Sequence, residues 1–259
     1  MKYLYILFIL ISTNISSQND SIVCVVKYTL NLSLGLPAQN QSKLIFNTNN
    51  SCYIEGVFNI EKKSDNSQEY KTHGDNRDVI KYYVDVNKGE LHKKDEINKE
   101  IYLVKEKLSK INWQISSQEQ DTVLGQLCHK AIGDFRGRTY TVWFAPNIAV
   151  RFGPWKIQGL PGLILKAKDN DNQVDFTAIS IEYKNSKKLM NELHLPKEFK
   201  KTILLEEYVS LIKQRDLENF QMIMATMPRS NKISNITIND DRKSRLEMKY
   251  EWEEEKEDK

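Results

Sequence analysis

Histidine is scarce in this chain, and so are cysteine, glycine and proline. Four histidines, His73, His92, His129 and His194, are spread over 259 residues. None pairs with another at ligand spacing, and neither HxH nor HExxH occurs, so no metal site is expected. Ten glycines and six prolines make no phosphate loop and no dinucleotide fingerprint, and G-x-S-x-G is absent. No catalytic set can be assigned and no cofactor is expected. Past the first residues, no apolar run approaches the ~20 residues of a membrane helix. A basic stripe with interleaved aromatics is also missing, which argues against nucleic-acid binding.

What is present begins with a leader. A short basic start, Met1-Lys2-Tyr3, precedes an apolar run of eight residues, Leu4–Ile11, and then small residues up to Ser17. This reads as a secretory signal peptide cleaved near Ser17, placing the protein in the periplasm or outside the cell. Val23 before Cys24 and the polar Gln18–Ser21 stretch argue against lipid attachment. At the other end, residues 251–259 hold six acidic and two basic residues and read as an acidic disordered tail. Between them, residues 18–250 read as a single β-rich domain. Export permits a disulfide. Of the three cysteines, Cys24 and Cys52 fall in early strands that can be neighbours and form the candidate pair, while Cys128 reads as a small buried apolar residue.

Ser21–Ser33, Ser42–Asn47 and Cys52–Ile60 are rich in β-branched and aromatic residues and predict a three-stranded meander. Glu61–Asp78 reads as a polar loop. Val79–Val86 is a strand, with a turn at Asn87–Glu90. Charged Glu90–Leu108 holds a strand at Ile101–Val104, and Asn112–Ile115 is another. Strands follow at Gln126–Ile132, Arg138–Phe144, Leu163–Ala167 and Gln173–Glu182, with turns at Gly133-Asp134, Pro146-Asn147, Leu160–Leu163 and Asp169–Asn172. From about residue 197 to 227 the pattern turns helical, with Leu204, Leu205, Tyr208, Leu211 and Ile212 on one stripe. Asn231–Asp240 reads as an edge strand or loop. The fold class is therefore mostly β (α+β): an antiparallel, curved or half-barrel sheet with one long C-terminal amphipathic helix packed on it.

The most distinctive stretch is Gly153–Lys168. Pro161 and Gly162 suit the two central positions of a type II turn, and the apolar flanks Trp155, Ile157, Leu160 and Leu163 place that turn against the core. Gly159-Leu160-Pro161-Gly162-Leu163-Ile164 resembles the signature of the GLPGLI family of Bacteroidetes envelope proteins. The flanks Ile111–Trp113, Gly125–Ala131, Phe135–Arg138, Val142–Pro146 and Gly153–Trp155 are similar to that family too. The resemblance implies an exported protein with no established biochemical activity.

Arg136 and Arg138, two residues apart, can fork onto carboxylate or phosphate. With Tyr140, Trp143 and Trp155 nearby they form a candidate binding mouth. The alternative is internal pairing of an arginine and aromatics that fill the core. The reading is an exported envelope protein, non-catalytic, that binds a small or lipidic ligand or an outer-membrane partner. The alternatives are a hydrolase with an unrecognised catalytic constellation, or a structural accessory of a secretion or uptake complex.

Overall fold

Alternation along Arg138–Ala145 sets the architecture: Arg138, Tyr140, Val142 and Phe144 are buried, while Thr139, Thr141 and Trp143 are half-buried on the other face. A strand with this pattern needs cover on one side. The computed structural model, which describes residues 22–34, 37–56, 79–226 and 245–253, supplies it. The leader, the loop expected at 61–78, the edge strand or loop expected at 231–240 and residues 254–259 lie outside the described residues.

The strands are β1 (Ile22–Leu32), β2 (Ala38–Phe46), β3 (Asn50–Glu55), β4 (Ile80–Asp85), β5 (Glu90–Ile97), β6 (Glu100–Lys107), β7 (Gln114–Val123), β8 (Gln126–Phe135), β9 (Arg138–Ala145), β10 (Leu163–Asp169) and β11 (Val174–Asn185). A short helix α1 (Lys187–Asn191), strand β12 (Lys201–Leu204) and helix α2 (Leu205–Thr226) follow. The described strands all join one open sheet in the order β12-β6-β5-β4-β3-β2-β1-β11-β10-β9-β8-β7. The β1–β11 pair joins the chain's two halves, and among the described strands only β12, beside β6, is parallel to its neighbour.

The mostly β class with a late packed helix is borne out, and the details correct several expectations. The helix starts at Leu205, because residues 201–204 extend the sheet instead. The turn expected at Gly133-Asp134 lies inside β8. The chain reverses at Arg136-Gly137, where φ is 46° and 87°. Asn98-Lys99 and Leu124-Gly125 also carry positive φ at both positions, the condition for tight two-residue hairpins that follow strand twist. β5 and most of β7 fall outside the expected strands, since charged residues in β5 and mostly uncharged polar ones in β7 hide the period-2 pattern. Both edges resist further pairing: β7 is polar and exposed almost throughout, and β12 has four residues.

The inner face carries the main core, with Tyr28, Leu30, Leu44, Tyr53, Tyr140, Val142 and Phe176. It is plugged by the β9–β10 connection, whose Phe152, Trp155, Ile157 and Leu160 are buried. Phe152 meets Phe46 at 5.7 Å between ring centroids, and Trp155 meets Phe135 at 5.7 Å. The Leu160–Leu163 turn is packed inward as expected, but not as a type II turn: Gly162 has no positive φ, whereas Gly159 is at 99°. Gly162 is required for space, since a Cβ there would lie 2.5 Å from the Ala145 carbonyl oxygen.

The opposite face has a smaller core of Val23, Val25, Ile45, Cys52, Ile54 and Tyr83, covered by Leu193 and the α1 residues Leu189 and Met190. This corrects the disulfide expectation. Cys24 and Cys52 are both free, lie on strands separated by β2, and belong to cores on opposite faces. Burial pushes the Cys52 thiol up to about 12, so it is an inert packing group.

Gly162→Ala is expected to cost about 1–3 kcal/mol through overpacking against the Ala145–Pro146 backbone. Urea unfolding of the variant beside the wild type measures it, and an unchanged midpoint would mean that the turn has room to give.

Candidate functional site

On the inner face, neighbouring strands β3, β4 and β5 bring polar groups into an otherwise apolar wall. Period-2 geometry puts Glu55 on the same face as Tyr53, and Asp95 on the same face as Lys93. Lys93 lies directly across from Tyr82, which in turn pairs with Tyr53. Helix α2 packs over this end through Leu205, Tyr208, Leu211 and Ile212, and so delivers the Tyr208 hydroxyl to β5. That hydroxyl donates to Asp95 Oδ2 at 2.5 Å and accepts from Lys93 Nζ at 2.6 Å. Lys93 also bridges to Asp95 at 2.6 Å, and the two side chains keep 12% and 17% exposure. The ammonium sits 4.4 Å from the Tyr208 ring centroid and 6.0 Å from that of Tyr82. Tyr82 donates a long hydrogen bond, 3.4 Å, to Glu55 Oε2.

Glu55 is the unusual member. Burial pushes its carboxyl above the usual range. Lys93 and the Tyr82 bond pull the other way, and the nearby Asp95 charge adds to the upward shift. A carboxyl pushed upward by burial, beside a second acid clamped by a lysine and a phenol, is a pairing that acid–base chemistry uses.

A buried ionic seam adjoins this cluster. Arg136, at the β8–β9 reversal, meets Glu106 of β6 at 2.7 Å, Glu251 at 3.1 Å and Glu247. Lys156, from the plug, pairs with Glu106 and lies 2.9 Å from Glu247. Arg138 is enclosed with Asp169 at 2.6 Å, both 1% exposed, and donates to Gln173 and to the carbonyls of Arg245 and Leu246. Residues 245–253 are thus tied down, and Glu251–Glu253 form a helical turn, so the acidic tail does not begin free at 251 as expected. Burial pushes the Glu247 carboxyl up, but Lys156 and Arg136 outweigh it and hold it below the ordinary value. Glu247 is felt electrostatically by both Tyr82 and Tyr208, so seam and cluster are continuous.

Of the residues singled out in the sequence, Arg136, Arg138, Tyr140 and Trp155 meet on this inner face, and Trp143 does not. Both guanidiniums are engaged by internal carboxylates. Tyr140 is fully buried, and among the described residues its hydroxyl has no hydrogen-bond partner. Trp155 is buried with φ of 55°, a strained value for a bulky residue. Trp143 points to the opposite face. Glu55, Tyr82, Lys93, Asp95, Tyr208 and Glu247 were missed. The one available signal was Lys93-x-Asp95, which period 2 places on one face once β5 is read as a strand. Among the described residues, no group of His, Cys, Asp and Glu is arranged to hold a metal ion.

The family described as "N-glycanase peptide, N-terminal domain" matches residues 37–209. The chain belongs to that family. This overturns the expected GLPGLI membership, to which none of the similarities found points. The Gly159–Ile164 hexapeptide is a packed turn of the N-glycanase domain, its letters set by one positive φ, one close backbone approach and three buried apolar side chains. Two solved structures are similar in fold. A structure of PNGF-II in space group C2 aligns with a TM-score of 0.55 at 17% identity, covering 75% of this chain and 33% of that one. A second, in space group P21, gives 0.52 at 19%, covering 74% and 33%. The chain therefore spans about a third of the length of the PNGF-II structures it resembles. Among curated proteins, none matches.

Two outcomes are expected. Arg138→Met should cost about 3–5 kcal/mol, because Asp169 is left buried without its cation. Adding Asp169→Asn should recover part of that in urea unfolding. Glu55 has a folded-state pKa above its unfolded one, so its contribution to stability is fully present below the unfolded value and lost as pH rises through the raised one. Glu55→Gln should therefore gain in melting temperature relative to wild type between pH 4 and pH 8. A flat difference would remove the raised carboxyl from the site.

Proposed function

We propose that the protein has a hydrolase role in processing N-linked glycans, with the inner-face cluster as its reacting centre. The observation that carries this reading is the N-glycanase match over residues 37–209, a span that contains Glu55, Tyr82, Lys93, Asp95 and Tyr208. Hydrolysis needs a proton for the departing group and a base for the attacking water. Glu55, whose carboxyl burial pushes upward, is the group suited to supply that proton. Asp95, fixed by Lys93 and Tyr208, takes the proton of a water as its oxygen bonds to the substrate, while the Glu55 proton passes to the departing group. The plug of Phe152, Trp155 and Ile157 keeps water low around these charges, which strengthens each interaction. The basic start and apolar run of residues 1–11 support an exported location, where glycoproteins are met.

A second reading is favoured by one fact, that the chain spans about a third of the PNGF-II structures. In it the domain holds the glycosylated substrate and the bond is cut by other residues, as in the non-catalytic binding role.

Incubating the full chain with an N-glycosylated peptide and measuring released glycan by mass spectrometry separates the two. Release is expected, reduced by about 10²–10⁴ in Glu55→Gln. Retention of the glycopeptide without release supports the second reading, and neither release nor retention sinks both.

A further inference from the structure

The outer face of β8–β11 carries a cavity of about 270 Å³, lined by Thr141, Trp143, Lys166, Lys168, Asp169, Asn170 and Asn172. It lies on the other side of the sheet from Glu55 and Asp95, and α1 covers the outer face elsewhere, over β1–β4. Register explains its composition: Trp143 pairs with Lys166 and Thr141 with Lys168, so a flat aromatic surface and two ammonium groups stand side by side. The neighbouring β8 lysine, Lys130, is used up by Glu119 at 2.7 Å. Lys166 and Lys168 differ: among the described residues neither has an ion-pair partner. The Asp169 side chain in that lining is buried and committed to Arg138. Asp175, across from Lys168 on β11, accepts from Thr177.

We propose that this cavity binds a sugar residue carrying a negative charge, as a sulfate, phosphate or carboxylate substituent. The half-buried Trp143 ring stacks on the apolar face of the sugar. The Thr141 hydroxyl and the Asn170 and Asn172 amides serve its hydroxyls, and Lys166 and Lys168 hold the anionic group with charge-assisted hydrogen bonds. The volume lies just below the ~300 Å³ at which drug-sized pockets begin, a size for one ring and not for an extended chain. The choice of a sugar rests on the glycan-processing reading; the choice of an anion rests on the two free lysines alone.

Calorimetric titration of the full chain at low salt with N-acetylglucosamine 6-sulfate, N-acetylglucosamine and inorganic sulfate tests it. The sulfated sugar should bind about tenfold or more tightly than either component, the effect of one charge-assisted bond. Lys166→Gln/Lys168→Gln should reduce it to the neutral sugar's level, and Trp143→Ala should abolish binding of both sugars, with circular dichroism unchanged. Equal binding of the sulfated and neutral sugars, equal binding of inorganic sulfate, or indifference to these substitutions overturns the site. A chain that binds the sulfated sugar but neither releases nor retains N-glycopeptide keeps this site and loses the N-glycanase role. The reverse pattern loses the site alone.

Discussion

Burying a charge is tolerable only when a partner of opposite sign is held in place, and the inner face of this sheet is built around that constraint. Arg138 and Asp169 are as enclosed as any leucine in the core. Arg136, Lys156, Glu106 and Glu247 share charges in a ring of two cations and two anions. Desolvation penalises each group alone, and removing one strands the rest. The seam therefore works by all-or-none geometry: strand β6, the β8–β9 reversal, the plug and residues 245–253 must all be in place together. Apolar packing gives the sheet its adhesion, and the seam gives it one arrangement.

That arrangement decides what Glu55 becomes. A carboxyl at a solvated strand end would behave ordinarily. Here the plug and α2 close over β3–β5, and the electrostatic cost of ionising Glu55 rises with them. The strained φ at Trp155 belongs to the same construction, since the ring is held between Phe135 and Phe176. Packing on both sides over-determines that residue, which is how an unfavourable backbone conformation persists.

The sheet was legible where one face is apolar. β1, β4, β9 and β10 announce themselves through β-branched and aromatic alternation, and the stripe from Leu205 to Ile212 announces the helix. β5 was hidden, because Glu90–Ile97 uses lysine and acid on both faces, and the acids and bases that mark a polar site also erase the strand's period. The same residues are thus the functional candidates and the reason they were overlooked. The hairpin at Arg136-Gly137 was misplaced by three residues because Gly133 looked like the turn. Gly133 is instead needed to clear the Trp113 ring, which a Cβ would meet at 2.7 Å. The two arginines stand out in the sequence as candidates for holding an anion, but a guanidinium that seeks an anion finds one equally well inside its own fold. Sequence spacing does not distinguish the two, since Glu106 and Glu247 lie 30 and 111 residues from Arg136.

A sheet of this kind has two faces with opposite obligations. The inner face must exclude water, so Arg136, Arg138 and Lys156, buried there, are each matched by a carboxylate. Among the described residues the outer face over β8–β11 has no such cover, and Lys166 and Lys168 can stay unpaired at little cost because water solvates them. Unpaired cations beside an aromatic surface then persist where they would be eliminated inside. The division follows from the pleat: Lys166 and Lys168 alternate with Leu165 and Ala167, which are fully buried. A single strand, β10, therefore contributes the floor of the core on one side and a cationic surface on the other, and a one-residue change in its register would exchange them. The bulge between Ile164 and Lys166, directly after the Leu160–Leu163 turn, sets that register for both faces at once.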